Sequence, residues 1–207
     1  MAPPSWRLSH SHAGVRPEYA MSMKEIRPPL PVKLFIGMLS PYPELFSVCA
    51  ELLCREFGPV DSESDLFRWD ITDYYRDEMG ENIIRKFIFF ERIMDPGRLA
   101  SVKHFAIDIE RQFALPRNGR LRRRINVDPG YVTEAKVVLA TTKDYAHRLY
   151  IGENIYGEVT LRYSTHERSF IPHEFTYPDF RTKAYLALFN NARESLRDAI
   201  RAKTERE

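Results

Sequence analysis

Two stretches of this chain are apolar on both sides of an extended backbone, and few folds accommodate that. Residues 32–39 (VKLFIGML) and 83–94 (IIRKFIFFERIM, with Phe87, Ile88, Phe89 and Phe90 in succession) read as strands buried on both faces. A sheet built around them must be covered on each side. Both fall far short of the ~20 apolar residues that a membrane helix needs, so no membrane span is expected.

The segments around them alternate in type. Ser40-Pro41 offers an N-cap and a proline tolerated in a first helical turn. Leu45, Val48, Cys49, Leu52 and Leu53 then share a stripe up to Phe57, and Gly58-Pro59 stops the helix. Residues 66–72 alternate, with Phe67, Trp69 and Ile71 on one face, and are expected as a half-exposed strand with Trp69 beneath that helix. Residues 96–113 carry Leu99, Val102, Phe105, Ala106, Ile109 and Phe113 at helical spacing, and 124–127 alternate again. Strand, helix, strand, strand, helix, strand is the order of the ferredoxin-like βαββαβ unit, an α+β class with sheet order 4-1-3-2.

The remainder adds a second layer. Residues 131–142 suit strand or helix, and the β-branched residues of the second half favour strand. Residues 147–151 and 155–163 flank Gly152-Glu153-Asn154, the turn of a hairpin. Asp179 or Thr182 caps a final helix with Tyr185, Leu188, Phe189, Ala192, Leu196, Ala199 and Ile200 in one stripe. That stripe can dock on the sheet face left open by the first two helices, or on a second copy as a homo-oligomer contact. Residues 1–30, rich in proline and without apolar periodicity or the core of a signal peptide, are expected as a flexible arm. The expected organisation is that arm and a single α+β domain over 31–207: a core over 31–130, a β-rich layer over 131–180 and a terminal helix over 181–203.

Charge excludes little by itself. Lys and Arg number 31 against 29 Asp and Glu, a net charge of +2, which gives no general field for nucleic acid or anionic membrane. With 43% hydrophobic residues the chain can bury a real core. Cys49 and Cys54 sit five apart in a helical pattern, roughly 140° around the axis at ~100° per residue. They read as buried reduced thiols of a cytoplasmic protein.

One run reads as a site. Arg122-Arg123-Arg124 leads into Ile125-Asn126-Val127-Asp128, a short alternating strand that ends in the turn signal Pro129-Gly130 before Tyr131. In the expected topology the end of the second strand, residues 72–80, shares a sheet edge with residues 37–40 and 120–124. Thr72, Asp73, Tyr74 and Glu78 would meet Arg122, Arg123 and Arg124 there, beside the start of the first helix. Arginine forks and helix N–H groups both favour phosphate or carboxylate. The bland reading is a salt-bridged loop in which the carboxylates neutralise the arginines. Asn126 and Asp128 belong to the candidate set, although the same topology sends 128–130 to the opposite edge.

A metal or acid–base group made of Asp128, His147 and Glu158 is the other chemical option. His147, expected on one strand face with Leu149 and Ile151, suits a satisfied core histidine better, and no metal is assigned. No histidine is followed by Ser or Thr two residues on, which removes the two-histidine phosphoesterases.

Several segments together resemble the bacterial family called domain of unknown function 4416. They are Thr72-Asp73-Tyr74-Tyr75 with Glu78-Met79-Gly80, the stretch NVDPGY over 126–131, and Leu139-Ala140-Thr141-Thr142-Lys143 with His147-Arg148. Glu158-Val159-Thr160-Leu161 and Thr176-Tyr177-Pro178-Asp179 complete the set, and the resemblance covers about 31–180. It implies little about activity. The label "GTP-binding" attached to some members finds no support in these residues, which contain no phosphate loop and place Asp144 one position too early for a guanine-reading motif. The best functional expectation is a small anionic or nucleotide-like ligand at the Arg/Asp/Tyr-lined sheet edge. The alternative is a non-catalytic protein-interaction module.

Overall fold

The computed structural model describes residues 26–70, 76–117 and 119–205. The expected arm over 1–30 therefore lies almost wholly outside the described residues, as do Thr72, Asp73 and Tyr74. β1 (Val32–Ser40) is buried along its whole length. α1 (Glu44–Phe57) follows, starting later than Ser40-Pro41 suggests: Ser40 stays in β1, where its Oγ donates to the Arg124 carbonyl at 2.7 Å. Gly58, at φ 93°, ends the helix and donates to the Cys54 carbonyl. In place of one strand over 66–72 there are two short pieces, β2 (Val60–Glu63) and β3 (Phe67–Arg68). Both pair with β4 (Ile84–Met94), which follows the one-turn helix α2 (Arg76–Met79).

A 3-10 turn over Pro96–Arg98 leads into α3 (Leu99–Phe113). β5 (Leu115–Arg117) and β6 (Arg120–Arg122) form a separate ribbon. β7 (Asn126–Val132) comes next, so Pro129-Gly130 lies inside a strand and is not the turn that the dipeptide suggests. The turn comes over 133–135, and β8 (Lys136–Thr141) is shorter than the single strand expected over 131–142. β9 (Leu149–Gly152), β10 (Ile155–Ser164) and β11 (Ser169–Ile171) complete the sheet. A 3-10 turn over Asp179–Arg181 precedes α4 (Lys183–Thr204), capped by Thr182 Oγ1 and not by Asp179.

The class is mixed α+β, with helices on both faces of an antiparallel sheet. Strands run β11-β10-β8-β7-β1-β4-β2, with β3 also against β4 and β9 also against β10. On one face Leu34, Ile36 and Met38 of β1 pack with Leu45, Cys49 and Leu53 of α1 and with Val102, Ala106 and Ile109 of α3. On the other, Phe35 of β1 and Phe87 and Phe89 of β4 meet Tyr185, Phe189 and Ala192 of α4. The two-sided strands are thus covered as their composition requires, and the stripe of α4 docks on the sheet of its own chain. Trp69 is not beneath α1. It is half-buried beside Leu39, Met79 and Ile83: its N–H still donates to the Ile83 carbonyl at 2.9 Å and it keeps the face of Phe67, but that face is the α4 side of the sheet, where Phe67 packs on Tyr185. Among the described residues no helix is long and apolar enough to cross a membrane.

Candidate functional site

Sheet register assembles the site. Leu39 pairs with Arg85 on one side and Asn126 on the other, and Gly37 pairs with Phe87 and Asp128. Cross-strand partners share a face. Arg85, Asn126 and Asp128 therefore stand in neighbouring rows on the α4 side, and Glu158 joins them as the partner of Leu139. The ladder between β7 and β8 stops at Gly130 and Leu139, since the next outward position on β7 is Pro129, which has no N–H to give. Beyond that point the strands separate, and Lys103 of α3 reaches into the gap with its Nζ 2.9 Å from the Val127 carbonyl and 3.3 Å from Asp128 Oδ1.

A cavity of about 610 Å³ opens here. Its floor includes Arg85, Asn126, Asp128 and Leu139–Thr141, and its far wall is the segment Tyr177–Phe180, which precedes α4. Five cations line it (Arg85, Lys103, Arg123, Lys143, Arg148) against three carboxylates (Asp128, Glu158, Asp179). The far wall is held to the sheet: Thr176 Oγ1 donates to the Thr160 carbonyl at 2.6 Å, and Arg181 donates to the carbonyls of His173, Glu174 and Thr176.

Most of these charges are satisfied by one another. Arg123 donates to both oxygens of Glu78 (2.8 and 2.6 Å) and to Asn126 Oδ1 (2.6 Å), and Asn126 Nδ2 donates to Asp128 Oδ2 (2.6 Å). The hydrogen bonds from Arg123 hold the Glu78 carboxyl below its ordinary range. Glu110 accepts from the Val127 N–H at 2.7 Å; burial pushes its carboxyl up, and Lys103 opposes that rise. Arg148 donates to Glu158 (2.6 Å), the Lys143 carbonyl (3.0 Å) and the Tyr177 hydroxyl (2.7 Å). Burial, aided by Glu158, pushes that phenol up to about 12.

Arg85 and Asp179 differ. Both are buried, 5% and 1% exposed. They face each other at 3.6 Å without a hydrogen bond, and Arg85 Nε and both Asp179 oxygens are buried with no hydrogen-bond partner among the described residues. The guanidinium is held by its faces, 4.6 Å over the Trp69 ring and 5.4 Å over the Phe87 ring. Burial pushes the Asp179 carboxyl up, and Arg85 and then the backbone N–H groups of Asp179 and Phe180 oppose that rise.

The sequence-derived set is divided by this geometry. Glu78, Arg123, Asn126 and Asp128 form one hydrogen-bonded chain, so the two motifs expected at opposite edges meet, because residues 126–132 form a strand whose first residues lie beside β1's end. Arg124 lies outside, 4.4 Å over the Tyr42 ring and 3.9 Å from Glu44, and Arg122 closes the ribbon β5–β6. His147 is not a core residue on an apolar face: it precedes β9, stacks on Phe175 at 4.5 Å and lies 3.4 Å from Glu158, while Leu149 is 75% exposed. Sequence reasoning missed Arg85, Lys103 and Asp179 as site residues. A signal existed for the first two, since Arg85 and Lys86 precede the apolar run Phe87–Phe90 of β4 and Lys103 neighbours the apolar stripe of α3. Asp179 was read as a cap.

No metal-binding group of three or more His, Cys, Asp or Glu occurs among the described residues. No curated protein and no solved structure matches the chain. A profile of the family described as "Domain of unknown function (DUF4416)" matches residues 30–196. That span takes in β1, most of α4 and every residue lining the cavity, and the chain belongs to this family.

Proposed function

We propose that the cavity binds a small ligand carrying an anionic group, with Arg85 as the anchor and Asp179 as the acceptor for an adjacent donor. The observation that carries the reading is the unmet hydrogen bonding of this buried pair. Leaving a buried polar atom unpaired costs roughly 1–3 kcal/mol, and more for charged groups, so a ligand that supplies the missing partners gains what the apo protein lacks. The excess of cations in the lining favours an anion, and the planar fork of arginine suits phosphate or carboxylate. Trp69 and Tyr145 offer ring surface for a larger ligand, including a nucleotide-like one. The strand order β7-β1-β4-β2, with α1 and α3 on one face, supports reading the core as a ferredoxin-like βαββαβ unit whose fourth strand is extended by β8, β10 and β11.

A thermal-shift panel of phosphate, carboxylates and nucleotides on the full chain tests the reading. A ligand at 100 times its Kd stabilises by ~2.7 kcal/mol. At least one anion should raise Tm, and Arg85→Gln combined with Asp179→Asn, which removes the pair without leaving one charge alone, should abolish the shift. No response to any anion would turn attention to the alternative, a non-catalytic interaction module. Exposed Leu149 and Tyr150 on β9, 75% and 62% exposed, favour that second reading.

A further inference from the structure

We infer that the anion taken between Arg85 and Asp179 is a protonated oxyanion, a hydrogen phosphate or phosphate monoester, and that Asp179 selects it over fully ionised oxyanions such as sulfate. This rests on the anion reading above. Arg85 Cζ lies over the Trp69 and Phe87 rings, and its N–H groups are the part that a ligand can engage by hydrogen bonds. Asp179 lies 3.6 Å from one of them, and an oxyanion bound to Arg85 brings its own oxygens against the carboxylate. Two acceptor oxygens brought into contact need a proton between them. Both Asp179 oxygens are buried acceptors with no hydrogen-bond partner among the described residues. Arg148 and Lys103 are drawn toward other partners, Arg148 to Glu158 and Tyr177 and Lys103 to the Val127 carbonyl and Asp128. Asp128 adds negative field at the same place.

Asp179 or the ligand has to bring that proton, and where Asp179 is ionised only a ligand with its own O–H can do so. A phosphate group has its second pKa at ≈ 6, so a substantial share of it carries an O–H near neutral pH. Sulfate and simple carboxylates carry none. The carboxylate is thus attractive toward hydrogen phosphate and repulsive toward sulfate, a discrimination that arginine alone cannot make. Free phosphate and a monoester share this chemistry and are separated by experiment.

The test is titration of the full chain, at about pH 6.5, with inorganic phosphate, methyl phosphate and sodium sulfate, read by calorimetry, with phosphorus NMR of the bound ion. Inorganic phosphate or methyl phosphate should bind at least about tenfold more tightly than sulfate, and the bound phosphorus shift should be that of the protonated form. Binding of methyl phosphate assigns a monoester; binding of inorganic phosphate alone assigns the free ion. Asp179→Asn, whose amide donates to any oxyanion oxygen, should gain sulfate binding and shrink the preference to about twofold. Equal binding of phosphate and sulfate by the unmodified protein, or a deprotonated bound ion, overturns the selection by Asp179 and leaves the anion reading standing. Binding of none of the three, with other anions of the panel still raising Tm, overturns the inference alone; silence of every anion overturns both.

Discussion

Arg85 and Asp179 show how a buried charge can be tolerated without being satisfied: attraction at 3.6 Å offsets part of the desolvation, but no hydrogen bond completes it. The sign of the consequence follows from the raised carboxyl. Below the ordinary value of 3.8 the group is neutral folded or unfolded; above it, the unfolded chain ionises first, so the native state loses stability as pH rises toward the folded value. Asp179→Asn removes that loss. Its Tm relative to the unmodified protein should improve from pH 4 toward pH 7, and a constant difference would refute the burial effect. Gly37 matters in the same place. A Cβ there would lie 2.9 Å from the Phe87 ring and 3.0 Å from Arg85 Nη1, so Gly37→Ala should cost ~1–3 kcal/mol in urea denaturation and displace the guanidinium, weakening anion binding.

At the scale of elements, β7 does two tasks in seven residues. Val127 and Val132 fill the core, Asn126 and Asp128 enter the site, and Pro129 ends the ladder with β8 so that Lys103 can reach the Val127 carbonyl. Gly130 permits this strand to lie against Phe35, whose ring a Cβ would meet at 2.4 Å. α4 covers the sheet behind the wall formed by Tyr177–Phe180. Phe189 stands at its centre, with ring centroids 4.9 Å from Phe35, 5.6 Å from Phe87 and 5.5 Å from Phe180. Phe189→Ala should cost ~3–5 kcal/mol by urea denaturation. A loss below about 1 kcal/mol would mean that α4 contributes little to the fold.

For the whole molecule, the sheet is the shared wall of two cores, so opening either helical layer exposes buried strand. Cys49 reports on this. It is fully buried under α1 with its thiol pushed up to about 12, whereas Cys54 is half-buried, and both are free. Because the thiolate is the reactive form, Cys49 should resist labelling in the native state. In a Cys54→Ser variant its labelling rate should follow global unfolding across a urea series. Fast labelling in water would show that α1 opens alone.

The sequence by itself determined which segments are buried and on how many sides. Residues 32–39 and 83–94 demanded cover on both faces, and the stripes of α1, α3 and α4 supplied it, because periodicity is a local record of burial. It also carried part of the site, since Glu78, Arg123, Asn126 and Asp128 sit in segments that stand out by composition. Periodicity does not encode register or partner. Trp69 keeps the face of Phe67 but meets the α4 side and not α1, Pro129-Gly130 stays inside a ladder, and His147 falls outside β9, each decided by a distant strand or helix. The Arg85–Asp179 pair was least legible of all. Each residue alone has an ordinary local explanation, a cation in a strand and an acid at a helix start, and only the packing of α4's leading turn against β4 makes them one buried, unsatisfied pair.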